Sequence, residues 1–201
     1  MEHQKCSYET HKTKPGKLWH FLAHEDSWQS FAVDAVLVVL IGKFLFLPGL
    51  GLIFHTDYPL VAVVSSSMDH NGKDFSQWWF ENGKWYEDRG ITMQQFKQFY
   101  KPNGFLKGDV FVVIGVDGAK AKVGDVLIYN VEGRADPIIH RVIAINPDGT
   151  IQTKGDANYA QIPFEQAVRK EQIAGKAAVW APKIGWVKVI FTEAVGKVLA
   201  R

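Results

Sequence analysis

The sequence predicts a mostly β domain, antiparallel and closed or nearly closed as a barrel or sandwich. One N-terminal transmembrane helix carries it and a small inserted lobe interrupts it. Three observations predict this. An apolar run extends from Phe31 to Phe54, short β-branched runs separated by turn signals begin at Gly108, and an aromatic-rich polar block lies between them at 71–104. A chain of 201 residues suits one domain with an anchor. The expected organisation is an N-terminal cytoplasmic segment over 1–29, a membrane anchor over 30–55, and an extracytoplasmic β domain over 56–201.

The apolar run, FAVDAVLVVLIGKFLFLPGLGLIF, would be ~36 Å long as a helix, enough to cross a hydrocarbon core. Asp34 lies near its start, within reach of headgroups. Lys43 can snorkel if the helix tilts or finds a partner, and Pro48 is expected to kink or end the helix. A polar segment precedes the run and the run is long, which argues against a cleaved secretory signal. Lys5, Lys12, Lys14 and Lys17 outnumber Glu2 and Glu9 ahead of it, so the positive-inside rule puts the N-terminus in the cytoplasm. Trp19 and Trp28 flank the entry, where an aromatic belt would sit.

A formal charge of +2 gives no ground for a nucleic-acid partner. The single cysteine, Cys6, cannot form an internal disulfide and reads as a free thiol. His20 and His24 have helical spacing but no third ligand nearby, so no metal is expected.

In the inserted block, Ile91, Gln95 and Phe96 followed by Phe99 give a short helical face with Thr92 as its candidate N-cap. Trp78, Trp79 and Trp85 either form a small core or dip into lipid headgroups. Beyond it, the strand-like runs are DVFVVIGV, DVLIYNV, IIHRVIAI, TIQTKGD and GKAAVW, with Asp-Gly turns at 117–118 and 148–149. The closing stretch, IGWVKVIFTEAVGKVLAR, is charged too often to span a bilayer. A final strand followed by an amphipathic helix is expected there.

Two stretches bear on chemistry. VVSSSMDH, at 63–70, sets three hydroxyls just beyond the apolar run, either as a simple turn or as the seat of a nucleophile. In the hairpin IIHRVIAINPDGTIQTKGDAN, a three-residue loop at Pro147-Asp148-Gly149 would set Ile145 opposite Ile151, Val142 opposite Lys154 and His140 opposite Asp156. A one-residue slip would undo the last pairing. A serine needs a base to take its proton, and a carboxylate to orient that base. The residues therefore read either as a Ser–His–Asp set or as a structural His–Asp pair beside an unrelated turn. Lys154, if desolvated, is an alternative base, and His70 is a weaker one.

With SSSM at 65–68, GDV at 108–110 and 124–126, IIHRV at 138–142, TKGDAN at 153–158 and PKIGWVKV at 182–189, the chain resembles the type I signal peptidases. The resemblance is to the branch shared by archaea and the eukaryotic endoplasmic reticulum, and suggests an archaeal member. It covers most of residues 28–190 and implies a membrane-anchored serine endopeptidase that removes signal peptides without a cofactor. Ser67 would be the nucleophile, with Ser65 and the Ser67 backbone N–H as the oxyanion hole. His140 would be the general base and Asp156 the acid. Preproteins, the bilayer and the secretion translocon are the implied partners, and the cell membrane is the implied location. Two departures stand out: Asp69 and His70 follow Met68 where relatives commonly carry a proline, and Ile162 stands where many carry a second aspartate. Glu165 is the next acid and an alternative third member.

Overall fold

The computed structural model describes residues 27–190. Cys6, His20, His24, Trp19 and the N-terminal lysines lie outside the described residues. The chain divides into two compact units, Met1–Leu50 and Gly51–Arg201.

Helix α1, Trp28–Phe54, is long and apolar enough to cross a membrane. Ser27 caps it, its side chain accepting from the Ser30 backbone N–H at 3.1 Å. Pro48 does not end the helix, which continues through it to Phe54. A π-helical turn at Gly42–Phe46 precedes the proline, a local widening of the kind that accommodates irregular hydrogen bonding inside helices.

The second unit is built on a six-stranded antiparallel sheet. Its strands are β1 (Leu60–Ala62), β2 (Val110–Ile114), β3 (Val126–Tyr129), β4 (Ile138–Ile145), β5 (Ile151–Lys154) and β6 (Ile173–Ala181), in the order β1-β2-β6-β3-β4-β5. This is the mostly antiparallel β domain that the turn-punctuated runs predict. Each GDV triplet opens a strand, β2 or β3, with its glycine at φ +89° or +95°. The Asp109 carboxylate accepts from the Leu106 and Lys183 backbone N–H groups and from Trp180 Nε1. The first GDV and the PKIGW stretch are thereby tied together. Over the start of this closing stretch no strand forms: the last strand ends at Ala181, a turn follows, and residues 186–190 are helical; the rest of the stretch lies outside the described residues.

One core cluster sits under β1, β2 and β3, with Val63, Met68, Phe111 and Ile128 fully buried. A second, around Leu127, Tyr129, Val142, Ile151 and Val168, backs the β3–β5 side. The inserted lobe consists of α2 (Phe75–Glu87) and α3 (Met93–Lys97). Asp74 caps α2 and Thr92 caps α3, each with a glutamine three residues on completing a capping box. Trp78, Trp79, Tyr86, Ile91 and Phe96 form the lobe's own core, with Trp85 half-buried against it.

The β4–β5 hairpin corrects the expected register. Near the turn the pairing is as the loop length predicts: Asn146 and Thr150 flank Pro147–Gly149, Gly149 has φ +82°, and Ile145 faces Ile151. Beyond Ala144 a β-bulge intervenes, so that Val142 faces Thr153 and Arg141 faces Lys154. His140 consequently does not face Asp156. The extra residue, Ile143, packs into the aromatic core of the lobe, whereas its neighbour Val142 belongs to the core behind the sheet. A bulge re-aims side chains in this way, at the cost of one ladder position.

Candidate active site

Ser67 lies in the turn that follows β1, between Val63 and Met68, both buried in the sheet core. The Met68 side chain locks the turn from below, and its sulfur accepts from the Asp156 backbone N–H at 3.3 Å. The Ser67 carbonyl accepts from the Ala157 N–H at 2.8 Å, and the Met68 carbonyl from the Phe105 N–H at 3.1 Å. A short stretch of backbone is therefore fixed on both sides, leaving the Ser67 hydroxyl half-exposed in a cleft.

His140 reaches that hydroxyl from β4. Its Nε2 is 2.9 Å from Ser67 Oγ, and the imidazole is buried. On the other side of the ring, Nδ1 lies 2.5 Å from Oε1 of Glu165. The contact is close but bent away from a straight N–H···O line. Glu165 is wholly buried at the end of a 3₁₀ turn, Pro163–Glu165. Its Oε2 accepts from the Ile162 N–H at 2.7 Å and its Oε1 from the Gly155 N–H at 3.2 Å. Two backbone donors thus satisfy the carboxylate and leave it aimed at the histidine.

Asp156 lies elsewhere in the same neighbourhood. Its carboxylate is gripped by Arg141, whose Nε donates to Oδ1 at 3.0 Å and whose Nη2 donates to Oδ2 at 2.7 Å. The remaining guanidinium donors reach the carbonyls of Tyr100, Lys101 and Gly124. Burial works to raise the Asp156 pKa, but Arg141 and the nearby His70 outweigh it and bring it down to about 2. The expected pairing of His140 with Asp156 is therefore corrected. The register slip removes it, and the next residue along the strand, Arg141, takes the carboxylate.

Ser65 Oγ lies 3.1 Å from Ser67 Oγ, so the two hydroxyls the resemblance singled out share one corner of the cleft. Lys154 is buried, and burial lowers its pKa to about 8, with Asp156 and Glu165 pulling the other way. Its Nζ donates to Tyr86 Oη at 3.3 Å and to the Gly155 carbonyl at 3.0 Å. These bonds direct it toward the lobe. His70 stacks on Trp78 at 3.9 Å, with Nε2 3.5 Å from Asp156 Oδ2. Among the described residues no group of three or more His, Cys, Asp or Glu side chains is arranged to hold a metal ion.

Gly155 is a site residue that the spacing arguments did not single out. A Cβ there would lie 2.8 Å from the Ser67 carbonyl oxygen and 3.0 Å from His140 Nε2. Only a glycine lets the strand end pass between serine and histidine, and its place in the TKGD run is a signal that could have been read. The cleft itself, about 300 Å³, is lined by Val61, Ala62, Val64, Pro137, Ile138 and Ile139 as well as by Arg134, Asp136 and Lys188. Small apolar groups can therefore lie beside the hydroxyl.

No protein-family model matches the chain. It is 28% identical over 171 residues to the signal peptidase complex catalytic subunit SEC11 of Komagataella phaffii, covering 78% of this chain and 80% of that protein. Over 99 residues it is 33% identical to SEC11 of Clavispora lusitaniae, covering 44% of this chain and 58% of the relative. The sec11 subunit of Dictyostelium discoideum is 30% identical over 98 residues, covering 44% of this chain and 54% of the relative. All three source organisms are eukaryotic, so the archaeal placement suggested by sequence finds no support in them. The similarity is to catalytic subunits of signal peptidase complexes.

Proposed function

We propose that the chain is a membrane-anchored serine endopeptidase that removes signal peptides from exported preproteins. Ser67 is the nucleophile, His140 the general base and Glu165 the carboxylate that orients it. The observation that carries this reading is the line from Ser67 Oγ through His140 to the buried Glu165, with separations of 2.9 and 2.5 Å. Similarity to signal peptidase catalytic subunits supplies the substrate class.

His140 Nε2 takes the Ser67 proton as Oγ attacks the scissile carbonyl, and Glu165 stabilises the imidazolium that forms. The resulting oxyanion is held by the Ser67 backbone N–H and the Ser65 hydroxyl. His140 then gives its proton to the leaving amine, whose bond to the carbonyl carbon breaks. A water molecule, deprotonated by the same histidine, hydrolyses the acyl-enzyme and returns Ser67 to its starting state. Lys154 is disfavoured as the base because its ammonium hydrogen-bonds Tyr86 and the Gly155 carbonyl. The resemblance to signal peptidases implies small residues at the cleavage site, and apolar lining beside Ser67 (Val61, Ala62, Ile139) can hold them. Helix α1 would keep enzyme and substrate at one membrane face, raising their effective concentration. The lysine-rich start of the chain favours a cytoplasmic N-terminus, and the translocon would be a neighbour there.

The test is cleavage of a preprotein in detergent micelles. Wild type is expected to cut after the small-residue site, whereas Ser67→Ala and His140→Ala leave the preprotein whole. Wild type that neither cuts several preproteins nor reacts at Ser67 with a serine-directed probe would overturn the reading.

A further inference from the structure

Residues 154–156 form a short plate with two faces. On the catalytic face, the Gly155 N–H donates to Glu165, a Cβ added at Gly155 would meet His140 Nε2 and the Ser67 carbonyl, and the neighbouring Ala157 N–H donates to the Ser67 carbonyl. All three members of the proposed triad therefore touch this segment. On its opposite face the plate meets the inserted lobe through one hydroxyl. Tyr86 Oη donates to Asp156 Oδ1 at 3.4 Å and accepts from Lys154 Nζ at 3.3 Å, while the same ammonium donates to the Gly155 carbonyl at 3.0 Å.

The Tyr86 ring is fully buried and packed by Trp78, Trp79, Trp85 and Phe96, with centroids 5.0–5.9 Å away. A phenylalanine would meet every one of those packing demands, so the hydroxyl answers to the plate and not to the lobe's core. A buried hydroxyl is tolerated when its partners are satisfied, and here it both donates and accepts. Burial, followed by the Asp156 charge, pushes its pKa well up, so it stays protonated and donates throughout the neutral range.

We propose that Tyr86 is a positioning residue for peptide-bond cleavage: the inserted lobe uses its hydroxyl, through Lys154 and Asp156, to hold the 154–156 backbone that aligns Ser67, His140 and Glu165. The inference rests on the serine-peptidase reading and gives the lobe a role in it. Displacement of a catalytic group by about 1 Å can cost on the order of 10²-fold in rate. Loss of one remote hydroxyl should cost less, roughly 10-fold.

The experiment compares full-length wild type, Tyr86→Phe, Lys154→Met and the double variant in detergent micelles. It measures kcat and KM for a preprotein, active-site content with a serine-directed probe, and hydrogen exchange by mass spectrometry. Tyr86→Phe should lower kcat about 10-fold at unchanged KM and full active-site content. Exchange should quicken in peptides covering 153–158 and stay unchanged over 110–114. The double variant should be no worse than the poorer single, because both substitutions cut the same link. Wild-type kcat in Tyr86→Phe, additive losses in the double variant, or exchange quickened across the whole domain would each overturn the inference. The last result would mean that Tyr86 merely supports the fold. Inactive, unlabelled wild type would instead sink the peptidase reading, and this inference with it.

Discussion

His140 Nδ1 lies 2.5 Å from Oε1 of Glu165, and the carboxylate is wholly buried with two backbone N–H donors holding it. In the proposed mechanism, a carboxylate so placed would favour the imidazole tautomer that leaves Nε2 free to accept the Ser67 proton. Replacing it by an amide keeps the shape and reverses that choice. Glu165→Gln is expected to lower kcat by on the order of 10³–10⁴, by analogy with the same change in serine-protease triads. Steady-state cleavage of a preprotein, with circular dichroism as the folding control, checks it. Unchanged kcat would remove Glu165 from the mechanism.

Asp156 is expected to behave as a stability residue. Removing one partner of a fully buried ion pair leaves the other charge uncompensated, at a cost of about 3–5 kcal/mol. Arg141→Met should therefore lower the stability of the folded domain by that amount, and Asp156→Asn by somewhat less because the amide still accepts one bond. Urea unfolding of the chain in micelles, followed by tryptophan fluorescence, measures both. Wild-type midpoints in both variants would contradict the burial of this pair.

The same pair sets an acid limit. The folded-state pKa of Asp156 is depressed to about 2, below the unfolded value of about 3.9. Its stabilisation is thus fully present above pH ~4–5 and is lost as pH falls through the folded value. The unfolded state binds the extra proton in that window, so stability rises with pH across it, by roughly 2 kcal/mol. Denaturant midpoints taken between pH 2 and 6 should fall with acid in wild type, and the Asp156→Asn curve should be flatter. Parallel curves would exclude Asp156 as the group responsible.

Much of this was legible in the sequence, and the failures have local causes. The Pro147-Asp148-Gly149 turn, the Thr92 cap and the strand-forming runs follow from short-range chemistry, which sequence displays directly. The bulge at Ile143 does not, because IIHRVIAI sets apolar residues on both faces, with one polar side chain on each (His140 and Arg141), and so carries no alternation that a slip would violate. What pulls Ile143 out of register is the aromatic core of the lobe, assembled from residues far away in the chain. The slip moved Asp156 away from His140. Glu165 was harder still to place, since its reach depends on a 3₁₀ turn and on the backbone N–H groups of Ile162 and Gly155.

Gly155 offers a test of how tightly the site is assembled. The backbone here passes between Ser67 and His140, and a methyl group would press on Asn158 Nδ2 at 2.7 Å, on the Ser67 carbonyl at 2.8 Å and on His140 Nε2 at 3.0 Å. The Ser67 carbonyl is backbone that the Ala157 N–H already holds, so it does not yield cheaply. The imidazole is the more mobile neighbour and should swing away, lengthening its 2.9 Å approach to Ser67 Oγ. Gly155→Ala is therefore expected to lower kcat about 10²-fold while the domain stays folded, and to slow labelling of Ser67 by a serine-directed probe in parallel. The parallel loss matters, because the probe needs the activated hydroxyl but not a full-length substrate. Slow cleavage with normal labelling would place the damage in substrate binding and leave the Ser67–His140 contact intact.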